Sequence, residues 1–341
     1  MNKKTFAAFV GPSVAMMLLF IALPLATVFM QSFHVTIPVT DTVEIETCTP
    51  GFAGQTCVTK IETRPVFDAA GNPTTTTKFV GFGSYQKVLR LGDAAAALAK
   101  SSWHDLMLID FWKALRFTVT FTLITLPLVL GVGLAIALAV NNATKAMKGP
   151  IIFVSLLPFI ITPVIGALSI RWLFIGDGIL TAGLEWYLER DLSLFAQAWT
   201  LEILMLFYRV WHVAPFAFVV FYAGLQTVNQ DTIESAIIDG ASRFERLRFV
   251  IIPHIMPLVV FVSLIHLMDS YRVFEEIVGF SSQAHVISLQ WLTYDLLSPD
   301  DSGNRSISRA SASAMLTMLG IVLILAPLLR RTWQDFTKGR I

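Results

Sequence analysis

The 341-residue chain is 55% hydrophobic and only 14% charged, with a mean hydropathy of +0.67 and a formal net charge of +1. That composition excludes an ordinary soluble domain, and the near-zero net charge excludes a polybasic nucleic-acid binder. The sequence has no GxxxxGK[ST] phosphate loop, no GxSxG or HExxH run and no His/Cys cluster with metal spacing, so it carries no signature of nucleotide hydrolysis, of a catalytic centre or of a metal site.

Six apolar runs are long enough to cross a bilayer core, which takes about 20 helical residues. They lie near residues 6–31, 114–140, 151–175, 200–225, 258–280 and 310–329. The first is too long for a signal-peptide core and lacks a small-residue cleavage site, so it reads as a retained span. Pro24, Pro127, Pro158, Pro163 and Pro215 fall inside these runs. Membrane helices tolerate them because neighbouring groups re-satisfy the freed backbone. The basic residues near span ends are Lys3 and Lys4, Lys145 and Lys148, Arg243, Arg246 and Arg248, and Arg330, Arg331, Lys338 and Arg340. All four sets fall on one side of a six-span chain, which predicts that side as the cytoplasm and both termini inside.

In chain order, residues 1–31 form the N-terminus and first span, and residues 32–113 an outer region. Gly71, Asn72 and Pro73 sit there between Thr-, Val- and Phe-rich runs, the pattern of a small β-rich insertion. Cys48 and Cys57, the two cysteines of the chain, lie in it with Gly51 and Gly54 between them. On the oxidising side of a membrane they are expected to form a disulfide, the alternative being two free thiols in a loop. A helix carrying Trp103 and Trp112 then reads as interfacial. Residues 114–331 hold spans two to six, and residues 332–341 a cytoplasmic tail.

Polar residues inside two spans need partners. Tyr208, Trp211 and His212 form a stripe on the fourth, with Arg209 beside it. On the fifth, His266, Asp269, Arg272 and Glu276 follow at spacings that share one helical face. An ionised group near mid-bilayer costs about 2.5–3.5 kcal/mol on insertion scales, so none of these should face lipid. Aromatic faces with hydrogen-bonding groups suit a cavity for a polyhydroxylated ligand. The alternative is an ion-pair network of Asp269, Arg272 and Glu276 that holds helices together. Both readings stay open for Asp269 and Arg272, and Glu276 is assigned to the network. Arg171, beside Trp172, reads as a snorkelling residue, and Asn141 and Asn142 as the end of the second span.

Between the fourth and fifth spans the run "ESAIIDGASRFERLRFVIIPHIMP" breaks the apolar pattern. Read as a helix, it places Ile233, Ile237, Ala241, Phe244 and Leu247 on one side. Asp231 or Thr232 could cap its start. Gly240 costs about 1 kcal/mol against Ala in a continuous helix, which makes sense if the chain turns there or another surface comes close. Pro253 and Pro257 are expected to end the element, with Pro257 in the first turn of the fifth span. One reading is a helix lying on the membrane. Its polar face carries both signs, however, and suits a protein socket better.

The stretch "ESAIIDGA", followed by Pro253 and Pro257, resembles the EAA loop of bacterial ABC-importer permeases, E-A-A-x-x-D-G-A, with Ser235 in place of the first Ala. "GPSVAMMLLFIALPLATVFMQSF", "FVGFGSY", "FWKALRFTVTFT", "PFAFVVFYAGLQTV" and "HLMDSYRVFEEI" resemble further segments of the sugar-importer branch, the maltose and glycerol-phosphate permeases. Ser84 stands where that branch usually has Asn. The cysteine-bearing insertion, about residues 36–77, lies outside the common pattern.

The resemblance implies an all-α polytopic membrane protein, with six transmembrane helices in the type I importer permease fold and a small periplasmic β-rich insertion. It implies a permease subunit in a bacterial inner membrane that couples ATPase closure to alternating access for a sugar-like solute. Glu234, Ala236, Asp239, Gly240 and Ala241 of the loop at residues 231–257 would contact the ATPase, with Phe244 as an apolar anchor. The expected partners are a second homologous permease, two ATPase subunits, a periplasmic solute-binding protein and membrane lipid. The chain itself would be no enzyme and hold no cofactor or metal, ATP and Mg being bound by the ATPase subunits. Candidate cavity residues are Tyr208, Arg209, Trp211, His212, His266, Asp269 and Arg272. An alternative cargo is a glycerol-phosphate diester or a sulfonated or acidic glycoside, for which Arg209 and an unpaired Arg272 would supply positive charge. A secondary transporter or channel is the rival class, but no internal repeat supports it. A membrane enzyme would need a nucleophile/base constellation that the sequence lacks.

Overall fold

The computed structural model describes residues 3–51, 54–67, 74–176, 178–191, 193–299 and 305–337. Six helices in it are long and apolar enough to cross a membrane: Ala8–Ser32, Asp110–Asn142, Pro163–Leu188, Ala198–Leu225, Arg243–Tyr271 and Ile307–Gln334. We refer to them as the first to sixth spans.

Two spans depart from the sequence reading. The apolar run at 151–175 is two helices, Lys145–Ile160 and Pro163–Phe174. Ile161 and Thr162 between them are extended, with ψ of 134° and 133°. Pro163 disfavours helical geometry at the residue before it and starts the next helix. The fifth helix ends at Tyr271, and a separate short helix, Glu275–Gly279, follows. His266, Asp269, Arg272 and Glu276 therefore do not share one continuous helical face.

Prolines also explain two widened turns. Leu23 N–H bonds to Leu18 O and Ile252 N–H to Leu247 O, closing π-helical turns over Leu18–Ala22 and Leu247–Ile251. Pro24 and Pro253 come next in each case. A proline ring clashes with the carbonyl four residues back, and one extra residue in the turn moves that carbonyl aside.

The chain forms two compact units. The first, Met1–Leu91 with Thr293–Met315, contains the first span and two antiparallel ribbons. β1 (His34–Pro38) pairs with β4 (Thr75–Phe79), and β2 (Thr40–Gly51) with β3 (Gly54–Pro65). Ser32 and Tyr85 share a hydrogen bond of 2.8 Å, and Phe33 packs on Phe82 and Tyr85, anchoring the base of the insertion. Gly71, Asn72 and Pro73 lie outside the described residues.

Cys48 stands directly across from Cys57 in the β2–β3 register. Facing positions of an antiparallel pair hold Cα atoms about 4.5–5.5 Å apart, within disulfide reach. Non-reducing peptide mapping of protein purified from membranes is expected to recover the two linked. Recovery of both as alkylatable thiols would refute the pairing.

The second unit, Gly92–Leu292 with Leu316–Ile341, holds the bundle around the fourth span. Two short helices, Leu91–Ala99 and Trp103–Met107, take the place of the single interfacial helix expected before the second span, and Trp103 is exposed. One buried cluster joins Phe117 and Phe121 of the second span to Met205 and Tyr208 of the fourth and to Ile277 and Phe280. Another joins Val129, Phe218, Phe221, Ile255 and Val262. Arg116 of the second span forms a two-nitrogen ion pair with Glu202 of the fourth. Large apolar side chains such as Leu123, Ile124, Leu128, Ile203 and Phe207 are exposed, as a membrane-spanning bundle requires.

Candidate functional site

Arg209 is the electrostatic centre of the second unit. Its side chain is buried in the fourth span, with Nη1 2.7 Å from Glu276 Oε1 and Nη2 2.5 Å from Asp269 Oδ2. Glu276 is fully buried, whereas the Asp269 side chain is 61% exposed. The planar guanidinium fork can serve two carboxylates at once, which ties the fourth span to the fifth and to the short helix after it. The expected ion-pair network exists, but its cation is Arg209. Arg272 is exposed and, among the described residues, has no carboxylate partner.

Beside this triad lies a cavity of about 300 Å³. Phe159, Phe216 and Ile265 supply apolar wall, and Arg209, His212, His266, Asp269 and Glu275 the polar wall. Four of the seven cavity candidates thus converge on it: Arg209, His212, His266 and Asp269. Tyr208, Trp211 and Arg272 do not line it.

The break at Ile161–Thr162 explains Tyr208. Helix ends leave carbonyls that a membrane interior cannot solvate. His212 Nε2 donates to Ile161 O at 2.9 Å, and Tyr208 Oη donates to Pro163 O at 2.6 Å. The Tyr208 ring stacks on His212 and its hydroxyl lies over Gly166, where an added Cβ would come within 2.5 Å of it. Tyr208 is a strut for the broken helix. Trp211, one residue before His212, sets its ring 6.2 Å from that of Tyr208 and is partly exposed.

The polar element between the fourth and fifth spans is built from two helices. Asn229, instead of Asp231 or Thr232, caps the first, Gln230–Ile238, through a bond from Asp231 N–H. That helix ends at a left-handed glycine. Gly240 has φ +82°, its N–H bonds to Ile237 O at 3.0 Å, and Ala241 N–H bonds to Ala236 O at 2.9 Å. This pair of bonds is a Schellman motif with glycine at C′. Among the described residues, none beyond its chain neighbours comes within 4 Å of a Cβ built on Gly240, so the turn and not close packing requires it.

The second helix starts immediately. Ser242 Oγ accepts from Glu245 N–H, and Glu245 Oε2 accepts from Ser242 N–H at 2.7 Å, a complete capping box. From Arg243 the helix runs through the π-turn into Tyr271. Pro253 and Pro257 therefore do not end the element: Pro253 opens the α-helix after the π-turn, and Pro257 lies inside it. Ile233 and Ile237 belong to the first helix, and Phe244 and Leu247 to the segment after the turn, so they form no single-helix stripe. Ile237, Ile238, Phe244 and Phe249 are exposed, as are Glu234 and Asp239. The element thus presents apolar side chains among charges of both signs.

Residues 110–335 match the model of the binding-protein-dependent transport system inner membrane component family. The chain belongs to that family. The chain is similar to the trehalose transport system permease protein SugA of Mycobacterium tuberculosis, 31% identical over 65% of this chain and 66% of that protein's length. The trehalose/maltose transport system permease protein MalF of Thermococcus litoralis is 28% identical over 49% of this chain and 56% of its own length. The inner membrane ABC transporter permease protein YcjO of Escherichia coli is 27% identical over 76% and 81%. The matches to MalF and SugA thus span 56% and 66% of those curated relatives.

A crystal structure of a bacterial ABC transporter involved in the import of the acidic polysaccharide alginate superimposes with a TM-score of 0.67, at 17% identity, covering 97% of this chain and 95% of that chain. A second, of a bacterial alginate ABC transporter in complex with an alginate pentasaccharide-bound periplasmic protein, gives 0.56 at 20% identity, covering 71% and 84%. The fold is that of an ABC-importer permease. The cavity and the helix–turn–helix element both lie inside the family's matched range, and the β ribbons lie outside it.

Proposed function

We propose that this chain is a transmembrane subunit of an ATP-driven, binding-protein-dependent importer for a sugar or sugar-like solute, set in a bacterial inner membrane with both termini in the cytoplasm. The observation that carries the proposal is one unbroken lever. The helix that begins at the capping box of Ser242 continues to Tyr271 and carries His266 and Asp269 to the cavity wall. A partner that engages the exposed helix–turn–helix can therefore displace the cavity wall directly. Binding free energy at the cytoplasm would bias inward- and outward-open states.

In this reading Glu234, Ala236, Asp239, Gly240, Ala241 and Phe244 meet an ATPase subunit, which binds the ATP and Mg. A second, homologous permease completes the pore, and a periplasmic solute-binding protein delivers the cargo. The sugar assignment is supported by the trehalose and maltose systems named among the relatives. A self-sufficient secondary transporter would leave the exposed element without a purpose.

Reconstitution separates the two. Purified alone into liposomes, the chain is expected to show no ATP hydrolysis and no trehalose flux. Joined with its permease partner, two ATPase subunits and the binding protein, it should show ATP turnover that rises with ligand. Ligand-dependent ATP turnover or trehalose flux by the single chain would overturn the proposal.

A further inference from the structure

The polar wall of the cavity carries more negative than positive charge. It carries Arg209 against the carboxylates of Asp269 and Glu275, with Glu276 sunk behind on Arg209. Arg209 turns one N–H of each terminal nitrogen to a carboxylate, and its Nε is buried without a partner, so its single positive charge is shared between Asp269 and Glu276. The imidazole N–H groups are committed as well. His212 Nε2 must donate, because Ile161 O only accepts. Thr125 Oγ1 gives its proton to Phe121 O at 2.8 Å, so at 3.0 Å it accepts from His266 Nε2. In the neutral rings each Nδ1 is then an acceptor, and both are buried without a partner. Asp269, with more than half its side chain open, adds a carboxylate. Arg272 is not on this wall.

A cargo hydroxyl can donate to the open carboxylates of Asp269 and Glu275, whereas both Nδ1 atoms are closed off. A cargo carboxylate, sulfate or phosphate would instead meet like charge that the single Arg209 does not fully offset. We infer that the cavity selects uncharged, hydroxyl-rich solutes over acidic ones, with Asp269 as the discriminating group and Glu275 supporting it. This deepens the proposed function and rests on reading the cavity as a solute site. The fold alone does not set the preference, since a structure with this fold belongs to a transporter involved in the import of an acidic polysaccharide.

The test uses the chain purified with its permease partner and no binding protein, whose own specificity would mask the cavity's. Saturation-transfer NMR at pH 7 compares methyl β-D-glucoside with methyl β-D-glucuronide, which differ in one hydroxymethyl against one carboxylate. The glucoside is expected to bind at least about tenfold more tightly, the scale of one added like charge at close range. Asp269→Asn should narrow that gap, and Glu275→Gln, which leaves both Arg209 ion pairs in place, should narrow it independently. Equal or tighter glucuronide binding by the wild type would overturn the charge selection while leaving a sugar importer standing. A gap unchanged in both variants would remove these carboxylates as its cause. Binding of neither glycoside would overturn the sugar reading and this inference together.

Discussion

Arg209→Met is expected to lower the stability of the chain by about 3–5 kcal/mol, the usual cost of leaving a buried charge without its partner. Glu276 is fully buried, its Oε1 bonds to Arg209 Nη1, and its Oε2 has no hydrogen-bond partner. Removing the guanidinium leaves that carboxylate with neither charge nor donor in a bundle packed by Met205, Ile277 and Phe280. The loss should be specific. Glu276→Gln in the Arg209→Met background removes the orphaned charge and should restore much of the stability. Arg209→Lys should fall between, because a point charge cannot hold Asp269 and Glu276 in one fork. Thermal unfolding of the purified variants in detergent is the measurement. An Arg209→Met protein that melts like the wild type would mean that the triad does not hold these elements together.

The second large effect is expected at the turn of the polar element between the fourth and fifth spans, the proposed ATPase contact. Gly240→Leu places a Cβ at a φ of +82°, a conformation that costs a non-glycine residue about 1–2 kcal/mol. The same change adds bulk to an exposed face. Spans and cavity lie elsewhere in the chain, so the variant should still insert and join its permease partner. ATPase co-purification and ligand-stimulated turnover should fall at least about tenfold, the scale of a lost central interface contact. Glu234→Lys should act on the same contact through charge. Gly240→Asn is the informative control: Asn tolerates the left-handed region, and the space around Gly240 is open, so it should keep most of the turnover. Wild-type docking by both Gly240→Leu and Glu234→Lys would leave a membrane-surface helix as the better account.

Much of this architecture was legible in the sequence because a membrane writes it plainly. Long apolar runs flanked by Lys and Arg mark spans, and each of the six expected positions overlaps one. The third, at 151–175, is interrupted at a signal that was present: Thr162-Pro163 asks for extended backbone, and the helix breaks there. The end of the fifth helix at Tyr271 had no such warning, since no glycine or proline stands between Asp269 and Glu276. Periodicity carried through that break placed Glu276 on the wrong element and suggested Arg272 as its partner.

The true partner, Arg209, is 60 residues from Asp269 and 67 from Glu276 in the chain, and only folding brings them together. Arg116 and Glu202 escaped notice for the same reason. The turn in the polar element was readable: Gly240, then Ser242-x-x-Glu245, is a helix stop followed by a helix start. Reading the stripe as one helix obscured it. Tyr208, which does not line the cavity, looked like a ligand group because a broken helix and a sugar both call for polar aromatic side chains.

Contact between the exposed helix–turn–helix and an ATPase is the central requirement of the proposed function. Ile238 is 85% exposed at the end of the first helix, two residues before Gly240. Membranes bearing the assembled importer with Ile238→Cys, labelled with a maleimide–benzophenone and irradiated so that the benzophenone inserts into a neighbouring C–H bond, should yield one covalent product joining this chain to an ATP-binding polypeptide. Efficient maleimide labelling of Ile238→Cys from the cytoplasmic side, with no ATP-binding polypeptide attached, would contradict it.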